Sequence, residues 1–208
     1  MSIVFCIIVL GVALAIIGLV APASRTRVAL GIAGWLAITA IAAASGAVAL
    51  DGGVPRVAAI PMMAIAVGLV VLRPILVRIP HHRLIALQAF RLPVELVLWT
   101  LFLRGIVPVQ MTFEGRNFDV LVGLTAIPFA VLAAKRPRLA IAWHVFGLAL
   151  LLNIVGTAVL SMPGPLRSFM TEPANTVIGT FPYVWLPGFL VPVAFLLHIA
   201  GIQAARRA

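Results

Sequence analysis

The chain has 208 residues, of which 63% are hydrophobic and 10% charged, with a net charge of +10 and a mean hydropathy of +1.22. A soluble domain carries about a quarter charged residues and just under half apolar ones. This composition excludes a water-soluble enzyme, a disordered tail and a nucleic-acid binder, whose basic patch needs a polar face. It predicts an all-α integral membrane protein.

A bilayer crossing needs about 17–25 predominantly apolar residues, each rising about 1.5 Å. Seven stretches meet that requirement, at 2–20, 28–50, 57–79, 84–106, 117–134, 139–161 and 180–203, within a single domain spanning 1–208. The first is followed by Ala21-Pro22-Ala23, a small-residue pattern, yet no basic side chain precedes it, so it reads as a retained helix rather than a cleaved signal. It contains Cys6, the one cysteine, which precludes an intramolecular disulfide and any cysteine-based metal site. The second span is crowded with small residues, including Gly31 and Gly34, which predicts close helix approach. The fourth contains Pro93 between Arg91 and Glu95 and is expected to bend there. Pro182, Pro187 and Pro192 fall in the first half of the seventh, which must be kinked, unwound or braced.

Orientation follows from the basic residues. Arg25, Arg27, Arg73, Arg78, Arg83, Lys135, Arg136, Arg138, Arg206 and Arg207 fall on one side, with no acidic residue among them. The other side holds Arg56, Arg104, Arg116 and Arg167 against Asp51, Glu114, Asp119 and Glu172. The amino terminus is therefore expected outside and the carboxyl terminus in the cytoplasm. Attraction to anionic headgroups accounts for the basic side without a protein partner.

Two outer segments differ from the rest. Residues 108–119 include Glu114-Gly115-Arg116-Asn117-Phe118-Asp119; residues 162–187 include Glu172-Pro173-Ala174-Asn175-Thr176 and Phe181-Pro182-Tyr183-Val184-Trp185-Leu186-Pro187. With these GRNFD-like, EPANT-like and FPxxWLP-like stretches, the chain from Gln88 onward resembles a group of uncharacterised bacterial multi-pass membrane proteins. The resemblance implies a multi-pass fold in a bacterial cytoplasmic (inner) membrane and brings no activity, substrate or site residue with it.

Ionisable residues at membrane depth are costly unless paired or facing a cavity, and they often mark function. Arg91 and Glu95 share one helix face at i, i+4 spacing. Asn153 lies past the middle of the sixth span. The outer segments add Glu114, Arg116, Asn117, Asp119, Glu172, Asn175 and Trp185, mixed charges in an aromatic setting suited to a small polar or zwitterionic molecule. These ten residues are the predicted ligand site, an outward-facing pocket roofed by the two outer segments and floored by Arg91, Glu95 and Asn153. The expected partners are the lipid bilayer and a small-molecule ligand, with self-association left open.

Two rival readings accompany it. His144 and His198 fall at equal depth on consecutive spans, an arrangement that could ligate haem or, with a carboxylate, a metal in a membrane redox enzyme. Packing histidines are the simpler account, and no cofactor is predicted. Alternatively, the outer segments form a docking surface of a structural or assembly subunit. His81 and His82 are expected in a solvated turn. No phosphate-binding loop, dinucleotide fingerprint or nucleophile elbow is present, and the seventh span has no lysine for a retinal Schiff base.

Overall fold

The computed structural model describes residues 1–50 and 56–208, and every regular element among them is a helix. In chain order these are α1 (Ser2–Leu19), α2 (Pro22–Ala44), α3 (Arg56–Val71), α4 (Arg73–Leu76), α5 (His81–Leu103), α6 (Asp119–Ala133), α7 (Pro137–Leu160) and α8 (Leu186–Ala205). Five of them (α1, α2, α5, α7 and α8) are long and apolar enough to cross a membrane, while α3 and α6 are apolar but shorter. Asp51, which entered the charge balance above, lies outside the described residues.

Local chemistry sets the boundaries. α2 begins six residues earlier than expected because Pro22 occupies its first turn, where a missing amide costs nothing. It ends at Ala44 with Gly46 at φ +74°, and the amides of Gly46 and Ala47 bond back to the carbonyls of Ala43 and Ala42. That double bond pattern requires a left-handed residue, which glycine adopts without steric cost. The expected continuous span 57–79 is divided at Leu72, because Pro74 supplies no amide to the Val70 carbonyl four residues earlier. Gln88–Phe90 forms a 3-10 turn within α5, one turn before Pro93, whereas Arg91–Leu103, where the bend was expected, is regular α-helix.

α8 opens with a π-helical turn at Leu186–Leu190. Pro192 has no amide to offer the carbonyl of Gly188 four residues earlier. The indole of Trp35 on α2 donates to that oxygen instead, at 2.7 Å, and the Trp185 indole donates to the Leu36 carbonyl at 3.0 Å. The broken start of α8 is thus braced against α2, one of the three outcomes expected from the prolines.

The molecule is apolar outside as well as inside. Ile3, Val70 and Val131 are each at least 75% exposed, and exposed Leu10, Leu14, Leu30, Met62, Leu124 and Leu152 extend that surface over α1, α2, α3, α6 and α7. Contiguous apolar surface of this kind belongs in lipid rather than water. α8 is the axis: 72% of its apolar window is buried, against 22–50% for the other four long helices. α7, α5, α3 and α4 pack around it; α6 fits between α5 and α7, and α1 lies against α2 and the second half of α5.

The basic segments gather at one end of the bundle. Arg73 Nε donates to Gln203 Oε1 at 2.9 Å, and Arg27 shares a groove with Arg78. His81 Nε2 lies 3.0 Å from the Ala133 carbonyl. His81 is therefore buried rather than solvated as expected; the tight α5–α6 packing draws it inward. The opposite, loop end is tied together by Gln110 Nε2 to Ser161 Oγ (3.1 Å), Thr171 Oγ1 to Gln110 Oε1 (2.6 Å) and Ser2 to Tyr183 (3.4 Å).

Candidate functional site

Four helices contribute to one buried polar chain. Arg91 leaves α5 immediately after its 3-10 turn, and Asp119 is the first residue of α6, where a carboxylate is favoured by the helix dipole. Arg91 Nε donates to Asp119 Oδ2 at 3.0 Å, and a second guanidinium nitrogen pairs with the same oxygen. Asn117 starts α6 by accepting the Asp119 amide on Oδ1 (3.1 Å). Its amide nitrogen donates to both oxygens of Glu95 (2.8 and 2.7 Å) and to the Met111 carbonyl (3.1 Å). Arg91, Glu95, Asn117 and Asp119 are all buried.

On its other side, Arg91 Nη1 lies 3.0 Å from His198 Nε2 and 3.5 Å from the Gly147 carbonyl. A guanidinium has only donors, so His198 Nε2 accepts and its proton sits on Nδ1. His198 Nδ1 is 3.1 Å from His144 Nδ1, which must accept in turn. His144 is left with its proton on Nε2, an atom buried without a hydrogen-bond partner among the described residues. Both imidazoles are neutral in this chain.

The two rings meet because both helices carry a glycine three residues after the histidine. Gly147 faces the His198 ring and Gly201 faces the His144 ring, each so closely that a Cβ would overlap it. The repeated His-x-x-Gly pattern, at 144–147 and 198–201, was legible in the sequence and is the signal for this contact. Trp143 packs edge-on to His144 and tilted against His198, and its indole donates to Thr125 Oγ1 at 3.1 Å.

A cavity of about 340 Å³ adjoins the chain, bounded by α3, α5, α7 and α8. Arg91, Glu95, Asn117 and Asp119 form its polar pole; Ile65, Leu151, Ile154 and Ala194 contribute to its apolar walls. Met62 and Leu152 line it too, and both are largely exposed, so it opens sideways between α3 and α7. Asp119 takes up the guanidinium, which leaves Glu95, held by one amide, as the cavity's available carboxyl group.

Four of the ten predicted site residues thus converge. The other six are not among the cavity-lining residues. Glu114 Oε1 accepts from the Trp99 indole at 2.6 Å, which places Trp99 at the loop end. The Arg116 guanidinium lies over the Phe169 ring at 5.1 Å, and its carbonyl accepts from Asn153 Nδ2 at 2.7 Å. Glu172 pairs with Arg167 at 2.8 Å and accepts the Ala174 amide at 3.0 Å. The Arg167 hydrogen bond holds the Glu172 carboxyl below its ordinary range. Asn175 is buried and anchors its segment to α7 through its amide to the Ser161 carbonyl at 2.9 Å. Trp185 serves the α2 brace described above.

His144 and His198, the pair weighed for haem or metal, do meet, but the outer nitrogen of His198 faces a guanidinium. Among the described residues there is no group of three His, Cys, Asp or Glu side chains placed to hold a metal ion. Fold and surface together define a helical, multi-pass membrane protein. No family model, curated protein or solved structure matches the chain.

Proposed function

We propose that this protein binds a small solute in the cavity between α3, α5, α7 and α8 and passes it across, or senses it within, a bacterial cytoplasmic membrane. The observation that carries the reading is the meeting of one cavity with one polar cluster: among the described lining residues, Arg91, Glu95 and Asp119 alone are charged. Broken helices beside polar residues are a recurrent arrangement in transporter sites. The π turn of α8 contributes Leu186 and Pro187 to the cavity wall, and the 3-10 turn of α5 contributes Phe90.

The walls narrow the solute that the sequence suggested. Their mostly apolar character and sideways opening fit a molecule with an apolar body and a hydrogen-bonding or amine head, the head seated on Glu95. The reading includes seven crossings, with α6 of 15 residues covering about 22 Å and α3 continued by α4. Clustering of the basic residues at one end supports a cytoplasmic carboxyl terminus. Membership of the bacterial group sharing the GRNFD-like and EPANT-like stretches belongs to the same proposal.

The test is uptake of a panel of small amphiphilic amines into proteoliposomes. The wild-type protein is expected to transport or retain at least one compound, and Glu95→Gln to abolish this while keeping its hydrogen bond from Asn117. Absence of flux together with absence of ligand-induced thermal stabilisation would overturn the reading.

A further inference from the structure

A second concavity lies on the opposite flank, between α2, α3, α4 and α8, with a volume of about 670 Å³. We propose that it is a binding groove for one anionic phospholipid of the leaflet at the basic end.

Its two ends differ in chemistry. Arg27 and Arg78 both line the basic end, and among the described residues neither guanidinium makes a hydrogen bond or salt bridge. The guanidinia of nearby Arg25 and Arg73 are already engaged, by the Val20 and Gly18 carbonyls and by Gln203. Among the described residues, no carboxylate lines the groove. Farther along, the lining becomes apolar and runs past the Trp35–Gly188 hydrogen bond to Ile38. From Arg27 to Ile38 the groove follows eleven residues of α2, about 16 Å. Half the hydrocarbon core of a bilayer is about 15 Å. An acyl chain laid along this face therefore puts its phosphate at the end that carries the two arginines.

The glycines of α2 take on a different purpose here. Small residues were expected to bring helices together, yet a Cβ at Gly31 or Gly34 would meet nothing within 4 Å. They form the floor of the open groove. Basic pockets between membrane helices hold anionic headgroups by this combination of charge and packing. The site stands apart from the Glu95 cavity and does not depend on the solute proposed for it.

Native mass spectrometry, after exchange into vesicles of equal phosphatidylglycerol and phosphatidylethanolamine, tests the site. The wild-type protein is expected to retain one phosphatidylglycerol in preference. Removing both charges (Arg27→Gln with Arg78→Gln) is expected to weaken retention about thirtyfold, at about 1 kcal/mol for each arginine near the surface. Gly31→Leu with Gly34→Leu fills the groove and is expected to abolish retention with both arginines in place. Equal retention of the two lipids by the wild-type protein would overturn the proposal. So would undiminished phosphatidylglycerol binding in the arginine variant, whose substituted side chains are exposed and leave the packing unchanged.

Discussion

His144 and His198 sit on neighbouring helices with their Nδ1 atoms 3.1 Å apart, and each ring rests against the glycine that follows the other. In an isolated helix, glycine to alanine favours the helix by up to about 1 kcal/mol. Here the new Cβ meets an imidazole, so the sign reverses. Gly147→Ala and Gly201→Ala are each expected to lower stability by about 1–3 kcal/mol, the usual range for overpacking. Thermal unfolding in detergent checks this, and a stabilised variant would contradict the contact.

The hydrogen-bond order fixes both tautomers: His198 carries its proton on Nδ1 and His144 on Nε2. Solid-state ¹⁵N spectroscopy of histidine-labelled protein should resolve this pattern. His198→Phe should leave the Arg91 donor unsatisfied, a loss of about 1–3 kcal/mol, whereas His198→Gln retains an acceptor and is expected to cost less. Equal effects of the two substitutions would remove His198 as the partner of Arg91.

Arg91 and Asp119 form the buried ion pair between α5 and α6. Breaking such a pair from one side typically costs about 3–5 kcal/mol, while replacing both partners with apolar residues costs far less. Asp119→Leu should therefore be more damaging alone than in combination with Arg91→Leu, as measured by denaturation of the purified protein. Additive effects would mean that the pair is not coupled.

At the loop end, the Glu172 carboxyl is held below its ordinary value, chiefly by its hydrogen bond from Arg167. A depressed carboxyl contributes stability above its unfolded value, and that contribution is lost as pH falls through the folded value. Hydrogen exchange over residues 167–174 should therefore be slow near neutrality, after correction for the intrinsic pH dependence. Protection should be lost only under acid conditions below the ordinary glutamate range. Glu172→Gln should show weakened protection already at neutral pH, and the pair's exposure makes the effect small and salt-sensitive.

The apolar runs and their order were legible because hydrocarbon thickness imposes a length that composition records directly. Helix ends were less so. The start of α2 moved to Pro22 and the third expected span divided at Leu72–Arg73, both decided by where proline lacks an amide rather than by hydropathy. Arg91 and Glu95 could be placed on one face from their spacing, but their partners Asp119 and Asn117 come from another helix start. No periodicity encodes that meeting. Asn153 could not be separated from the cavity by depth alone, since only the tertiary path of residues 112–117 brings the Arg116 carbonyl to it.

The most direct test of the cavity account is a thermal-shift titration of wild-type protein and Glu95→Gln with the amphiphilic amine that proteoliposomes retain. At one hundred times its dissociation constant, a ligand stabilises the folded state by about 2.7 kcal/mol, which for a chain of this size raises Tm by about 5–10 °C. The account predicts that shift in the wild-type protein and its disappearance in Glu95→Gln. An equal shift in both proteins would place the ligand elsewhere and contradict the assignment of Glu95 to the binding pole.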